Sequence, residues 1–404
     1  MYENLTAVVI FIFLYIVISG RLQKTPINGA FFFILFGLIA SPLGLGFINV
    51  NIDAEELRTL AEVTLALVLF TDASNANLSV LKKVFYIPGR LLLIGLPLTI
   101  LFGFAAGLIL LPNLTFLEIA ILATMLAPTD AALGKAVVTD NAVPPAIREG
   151  LNVESGLNDG ICVPILFIFL ALATSHNGDP HHSGMIALKL VVEELGIGLA
   201  VGVAFTFLCV WIFNRCDSLG WVGETWRQLP VVAIAIGCFS LAQSLGGSGF
   251  IAAFIGGLLF GKIAHKSKAA YVLAAEGVGE ILALITWVIF GAGVIGPSLG
   301  AFSWQIIVYS LLSLTLVRMI PVMISLKGIE MDRKEKLFIG WFGPRGLASI
   351  VFGIIVIGNN LEGESVIAMV SICTIFLSAT LHGISATPLV AVLAKSIKNT
   401  CKKH

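Results

Sequence analysis

The chain has 404 residues, of which 58% are hydrophobic and only 12% charged, with a mean hydropathy of +1.00 and a formal net charge of zero. Soluble chains run near ~25% charged, so the polar surface that a water-facing fold needs is missing. Apolar stretches approaching the ~20 residues that a transmembrane helix requires recur along the whole length, and the ~10-residue alternating segments of a membrane β-barrel do not occur.

The expectation is therefore an all-α polytopic membrane protein. Apolar runs broken by Gly, Pro and charge predict thirteen segments. Segment 1, 4–19, has no basic stretch before it and reads as a retained helix rather than a cleaved signal peptide. Segments 2, 3 and 4 follow at 28–47, 56–71 and 89–111. Segments 5 and 6, at 116–139 and 144–173, carry the polar residues taken up below. An outside loop, SHNGDPHHSG (175–184), precedes segment 7 at 186–214, and its His176, His181 and His182 read as solvated. Segments 8 to 13 occupy 229–245, 249–262, 272–295, 302–326, 335–358 and 363–394. The tail, 395–404, is too short for a soluble regulatory domain, and no GxxxxGK[ST] loop occurs. Neither a nucleotide nor a nucleic acid is expected as a partner, and transport driven by ATP is not expected.

Of the 24 basic residues, 20 fall at alternate junctions. Arg21 and Lys24 follow segment 1, while Lys82, Lys83 and Arg90 lie around the gap after segment 3. Lys135 and Arg148 lie near the gap after segment 5, and Arg215 and Arg227 follow segment 7. Lys262, Lys266 and Lys268 follow segment 9; Lys327, Arg333, Lys334 and Lys336 follow segment 11; Lys395, Lys398, Lys402 and Lys403 lie in the tail. The positive-inside rule then predicts an outside N-terminus and a cytoplasmic C-terminus in a cell (inner) membrane. Arg58 and Lys189 lie near outside ends, and Arg318 and Arg345 fall within segments 11 and 12. The six cysteines have no CxxC or metal-like spacing and read as small apolar residues, so no disulfide and no cofactor is expected.

Segments 5 and 12 echo one another. Each has a proline mid-span, Pro128 in ATMLAPTDAALGKAVV and Pro344 in FIGWFGPRGLASIVFG. Proline removes a donor and clashes with the preceding turn, so both helices should break. Broken backbone at membrane depth is tolerated where it lines a cavity or is buried in protein. The two segments lie an odd number of spans apart and so run in opposite directions, as in transporters built from inverted repeats. The predicted organisation is a first six-helix repeat over 1–174, a linker helix at 186–214, a second inverted repeat over 229–394 and the tail.

In segment 6, ESGLNDGICVP (154–164) places Glu154, Ser155, Asn158 and Asp159 within an arc of about 140° on a helix otherwise apolar. Pro164 should loosen that helix one turn beyond Asp159. Asp159 is roughly 22 Å deep from the cytoplasm and Asp130 roughly 21 Å from the outside at 1.5 Å per residue, which puts both in the middle third of the bilayer. An acid at that depth costs about 2.5–3.5 kcal/mol on the insertion scale, which marks a functional site. Thr129, Asp130, Ser155, Asn158 and Asp159 offer only oxygen and amide groups, which suit a hard monovalent cation such as Na⁺ and not a soft metal. Burial favours the neutral acid and a bound cation favours the carboxylate. An Asp159 that holds either a proton or Na⁺ would exchange one for the other. Glu154 then needs a partner to neutralise it, and Arg318 and Arg345 are both at suitable depth.

These residues resemble the monovalent cation:proton antiporters of the NhaP/NHE branch. The resemblance covers nearly the whole chain, through LVLFTDASNANL (68–78), APTDAALGKAVV (127–138), ESGLNDGICVP, SGFIAAFIGGLLFG (248–261) and FGPRGLASIVFG (342–353). It implies an NhaA/NhaP-like fold of about thirteen helices with broken helices 5 and 12, a core domain moving against a dimerisation domain, and a homodimer. It implies Na⁺ or H⁺ on Asp159, ion-site positions at Thr129, Asp130 and Ser155, and support from Asn158. It pairs Glu154 with Arg318, leaves Arg345 to organise the second break, and makes Asp72 the funnel acid of segment 3. The Asn-Asp pair, in place of Asp-Asp, implies electroneutral 1:1 exchange.

The expected function is secondary Na⁺(Li⁺)/H⁺ antiport, not enzymatic catalysis. K⁺/H⁺ exchange on the same fold is the alternative, and an uncoupled cation channel or membrane sensor is the reading from another class. Glu276 and Glu280, one turn apart at the cytoplasmic start of segment 10, suit either cation attraction or a plain interfacial position. Glu62 and His382 lie in predicted helices and are assigned no role.

Overall fold

The computed structural model describes residues 2–22, 29–46, 54–75, 86–130, 133, 137, 140, 142–174, 180–264 and 268–401. These form α1 (Tyr2–Leu22), α2 (Gly29–Ala40), α3 (Ala54–Asn75), α4 (Tyr86–Leu110, with a π turn at Leu91–Gly95) and α5 (Phe116–Met125). Then come α6 (Pro145–Thr174), α7 (Pro180–Ser218), α8 (Pro230–Ser244), α9 (Gly249–Ile263) and α10 (Lys268–Ile289, continued by a π turn Phe290–Ile295). The chain continues with α11 (Trp304–Ser325, irregular at Thr315), α12 (Arg333–Trp341), α13 (Leu347–Ile357) and α14 (Glu364–Cys401).

Lipid offers no hydrogen bonds, so a spanning segment must pair its own backbone groups, and helices do this locally. Six stretches among the described residues are long and apolar enough to span: α4, α6, Val192–Ser218 of α7, Tyr271–Ala301, α11 and Glu364–Ile397 of α14. Shorter apolar helices include α2, α5, α8, α9 and α13. Beside its apolar cores, the fold turns many apolar side chains outward and several charged ones inward. Val9, Phe13 and Val17 of α1 and Phe207 and Trp211 of α7 are largely exposed, while Glu154, Arg318 and Arg345 are fully buried.

The chain divides into two compact units, and the boundary between them falls inside α6, after Ser155. The first comprises 1–57, 84–155 and 284–404. One of its cores joins Phe33 and Ile34 of α2, Val288 and Ile295 at the end of α10, and Ile375 and Ala379 of α14. A second joins Leu91 of α4, Ile147 and Leu151 of α6, Val322 of α11, Phe338 of α12 and Val390 of α14. Arg90 of α4 donates to the Lys327 carbonyl at 2.7 Å, just past the C-terminal end of α11, where a cation is favoured. The second unit comprises 58–83 and 156–283. There Gly257 and Gly261, four residues apart on α9, lie directly on the backbone carbonyls of Phe70 and Ser74 of α3, leaving no room for a Cβ. Small residues at this spacing let membrane helices approach closely.

Two expectations are adjusted. The helix α6 runs without a break through Pro164. Proline costs it a single donor, and Gly160, one turn earlier, packs closely against the ring of Phe254. The helix α7 begins at Pro180, so His181 and His182 lie in its first turn rather than in a loop. Proline at the first helical position has its φ already set for a helix. His176 lies outside the described residues.

Candidate functional site

The site is built on two interruptions. The helix α5 stops at Met125, and Leu126–Asp130 is not helical. The helix α12 stops at Trp341, Phe342–Gly346 is not helical, and α13 starts at Leu347. Both stops come shortly before a proline, whose ring disfavours helical backbone in the preceding residue. The two breaks touch, since the Asp130 N–H donates to the Pro344 carbonyl at 2.7 Å.

Helix ends carry partial charge, positive at the N-terminus and negative at the C-terminus. Here each exposed end meets an opposite side chain from the other break. The guanidinium of Arg345 donates to the carbonyls of Ala127 and, at 3.0 Å, of Pro128, just past the C-terminal end of α5. The carboxylate of Asp130 accepts from the Leu347 N–H, at the first turn of α13, at 2.9 Å and from the Leu133 N–H at 3.3 Å. The backbone N–H of Arg345 donates to Ser378 Oγ of α14 at 2.7 Å. Two glycines make the crossing possible. A Cβ on Gly346 would collide with the Asp130 carboxylate, and one on Gly343 would come within 2.6 Å of Arg318 Nε and 3.1 Å of Thr129 Cγ2.

The first half of α6 joins this crossing. Ser155 Oγ donates to the Thr129 carbonyl at 2.6 Å. Glu154 forms a two-pronged pair with Arg318 of α11, Oε1 to Nη1 at 2.5 Å and Oε2 to Nη2 at 2.8 Å, with both side chains at most 2% exposed. Such a fork fixes geometry as well as charge. The partner of Glu154 is thus Arg318, while Arg345 is committed to backbone carbonyls.

Thr129, Asp130, Glu154, Ser155, Arg318 and Arg345 gather in the first unit. Asn158, Asp159 and Asp72 belong to the second. Asn158 and Asp159 are buried, about one turn beyond Ser155 along α6. Asp72 is half-buried on α3, where Gly156 of α6 faces its Cβ at 3.5 Å from the place a Cβ would take.

Some residues are absent from the sequence analysis, and others appear there without a partner. Glu118, buried in the first turn of α5, closes a capping box with Thr115 and accepts from the Gly363 N–H at 2.6 Å. The T-x-x-E spacing was its signal. Glu62 pairs with Arg58 at 2.7 Å, the i, i+4 spacing of a helical ion pair. Ser378 and His382 of α14 have no comparable local signal.

The family described as "Sodium/hydrogen exchanger, transmembrane" matches residues 8–392. Among similar curated proteins is the K(+)/H(+) antiporter NhaP of Alkalimonas amylolytica, 23% identical over 392 residues, covering 96% of this chain and 66% of the relative. Another is the Na(+)/H(+) antiporter of Schizosaccharomyces pombe, 27% identical over 263 residues, covering 61% of this chain and 55% of the relative. The chain therefore spans less than two thirds of the length of either. The solved structure of the sodium proton antiporter MjNhaP1 from Methanocaldococcus jannaschii at pH 8 aligns with a TM-score of 0.76 at 22% identity, covering 95% of this chain and 98% of that one. That likeness establishes a shared fold.

Proposed function

The chain belongs to the sodium/hydrogen exchanger family, and on that premise we propose that it is a secondary Na⁺(Li⁺)/H⁺ antiporter of the cell membrane. The observation that carries the proposal is the contact between two broken helices, with Arg345 at one exposed helix end and Asp130 at the other. Discontinuous helices of this kind hold ions at the membrane midplane in secondary transporters. Charge compensation by fixed side chains leaves the remaining oxygens there free of a strong net field, so that a single mobile charge decides the occupancy.

In this reading Asp159 is the exchanging carboxylate, binding either Na⁺ or H⁺, and only loaded forms cross between inward and outward states. Thr129, Asp130 and Ser155 supply further oxygen ligands, and Asn158 supports the helix turn that presents Asp159. Glu154 transports nothing, because its charge is already matched by Arg318. One carboxylate carrying one charge either way gives electroneutral 1:1 exchange. The accompanying architecture is thirteen spans in two inverted repeats, 1–174 and 229–394 around the linker helix, in a homodimer with the N-terminus outside and the C-terminus in the cytoplasm. The basic residues at alternate junctions support that orientation. Asp72 would line the cytoplasmic approach.

A second reading, K⁺/H⁺ exchange at the same oxygens, is favoured by the name of the Alkalimonas relative. The test is exchange in proteoliposomes under an imposed pH gradient with Li⁺, Na⁺ and K⁺ in turn. Proton movement coupled to Na⁺ and Li⁺ but not K⁺ supports the first reading, and a K⁺ response without Na⁺ replaces it with the second. A rate that changes when an ionophore collapses the membrane potential would rule out 1:1 stoichiometry.

A further inference from the structure

Five residues of non-helical backbone, Phe342–Gly346, form the second break, and something must hold both of its ends. On the near side the Trp341 carbonyl ends α12; it accepts from the Gly343 N–H inside the break at 2.8 Å, which leaves its second lone pair to be met from outside. On the far side the Arg345 N–H lies just before α13, ahead of that helix's own hydrogen-bond ladder. Both are taken up by one face of α14. His382, 1% exposed, places Nε2 at 2.9 Å from the Trp341 carbonyl. Ser378, one turn earlier, accepts the Arg345 N–H at 2.7 Å, and its Oγ is 3.3 Å from His382 Nδ1. Nδ1 also lies 3.0 Å from the Ser378 carbonyl. The His382 ring packs against the Trp341 indole at a centroid separation of 5.2 Å, and that indole donates to Ser385 Oγ at 2.8 Å. Among the described residues, the charged groups whose field reaches the ring are Arg345 in the break and Arg318 on α11.

A buried histidine with both nitrogens at hydrogen-bond distance from main-chain or side-chain oxygens, on a helix that otherwise needs only apolar packing, is not explained by the crossing itself. We propose that His382 is a positioning residue for cation binding: with Ser378 it clamps the two ends of the second break, and so fixes where Arg345 meets the Ala127 and Pro128 carbonyls. The chain of contacts runs from His382 to the Trp341 carbonyl and through Ser378 to Arg345, then to the Ala127 and Pro128 carbonyls that precede Thr129. Nothing in it touches the transported ion. The functional half of this proposal rests on the antiporter reading; the clamp itself does not.

The requirement is a donor toward the Trp341 carbonyl, which Gln supplies and Leu does not. In proteoliposomes, His382→Leu is expected to raise the apparent KM for Na⁺ about three- to tenfold, the scale of one net hydrogen bond lost while the Gly343 N–H still serves the Trp341 carbonyl. The maximal rate should change much less, and His382→Gln should restore KM to within about twofold, as a matched donor does. Ser378→Ala, which leaves the ring in place, should shift KM in the same direction and serves if the Leu variant does not fold. Hydrogen–deuterium exchange in detergent reads the clamp without any transport. The amides of Arg345 and Leu347 should exchange faster in His382→Leu and Ser378→Ala than in wild type or His382→Gln. Wild-type KM together with wild-type exchange protection in the Leu and Ala variants would overturn the proposal. An inactive wild type with the expected protection pattern would instead overturn the antiporter reading and leave the clamp standing.

Discussion

Replacing Arg318 by Gln leaves the Glu154 carboxylate in a site where it is 1% exposed and has lost guanidinium partners at 2.5 and 2.8 Å. Removing one member of a buried pair strands the other charge and costs about 3–5 kcal/mol, whereas removing both is often close to neutral. Arg318→Gln and Glu154→Gln should therefore each destabilise strongly. The double variant should be less destabilised than the sum of the two, by about 2 kcal/mol or more, within the coupling range of contacting residues. Thermal unfolding in detergent at one scan rate, with wild type in parallel, measures this through apparent midpoints. Additive midpoint losses would refute the pairing as an energetic unit. Transport by the same proteins tests the assignment of roles. The double variant should still exchange Na⁺ for H⁺, and its complete inactivity in a folded state would give Glu154 a part in carrying the ion.

Gly346→Ala drives a methyl group into the Asp130 carboxylate; overpacking of this kind costs about 1–3 kcal/mol, and we expect lost exchange with a lowered melting midpoint, while the same change at exposed Gly300 should be silent. Ser155→Ala removes the 2.6 Å bond to the Thr129 carbonyl. It should weaken Na⁺ binding several-fold, on the scale of one net hydrogen bond of ~1 kcal/mol, read as a raised KM in vesicles. Arg345→Lys keeps the charge but not the fork that reaches Ala127, Pro128 and, at 3.5 Å, Ser313; exchange should fall steeply although net charge is unchanged, and a fully active Lys variant would show that charge alone suffices.

The breaks were legible because proline acts locally, through its ring and its missing N–H, and so Pro128 and Pro344 could be read without a partner in view. Identifying the arginine that pairs with Glu154 was different in kind. Depth is a one-dimensional measure, and Arg318 and Arg345 have nearly the same value of it; only the resemblance preferred Arg318. The deciding fact is that Arg345 faces carbonyls while Arg318 faces α6, and direction across a bundle has no sequence periodicity. Asp130 shows the same limit. Read as an oxygen donor, it also caps α13 through Leu347, which is 217 residues away in the chain. Glu118 and Glu62 lay within reach, since capping-box and i, i+4 spacings are local rules. Ser378 and His382 were beyond it, because what they hold is the end of another helix.

The central claim is that a single carboxylate, Asp159, alternates between Na⁺ and H⁺. It is tested most directly by Asp159→Asn in proteoliposomes, following proton movement on addition of Na⁺ with folded protein verified in the same preparation. Asparagine is nearly isosteric and keeps an oxygen ligand but cannot take up or release the proton, so coupled exchange should vanish while Asp159→Glu retains some. Na⁺-driven proton movement at the wild-type rate in Asp159→Asn would contradict the mechanism.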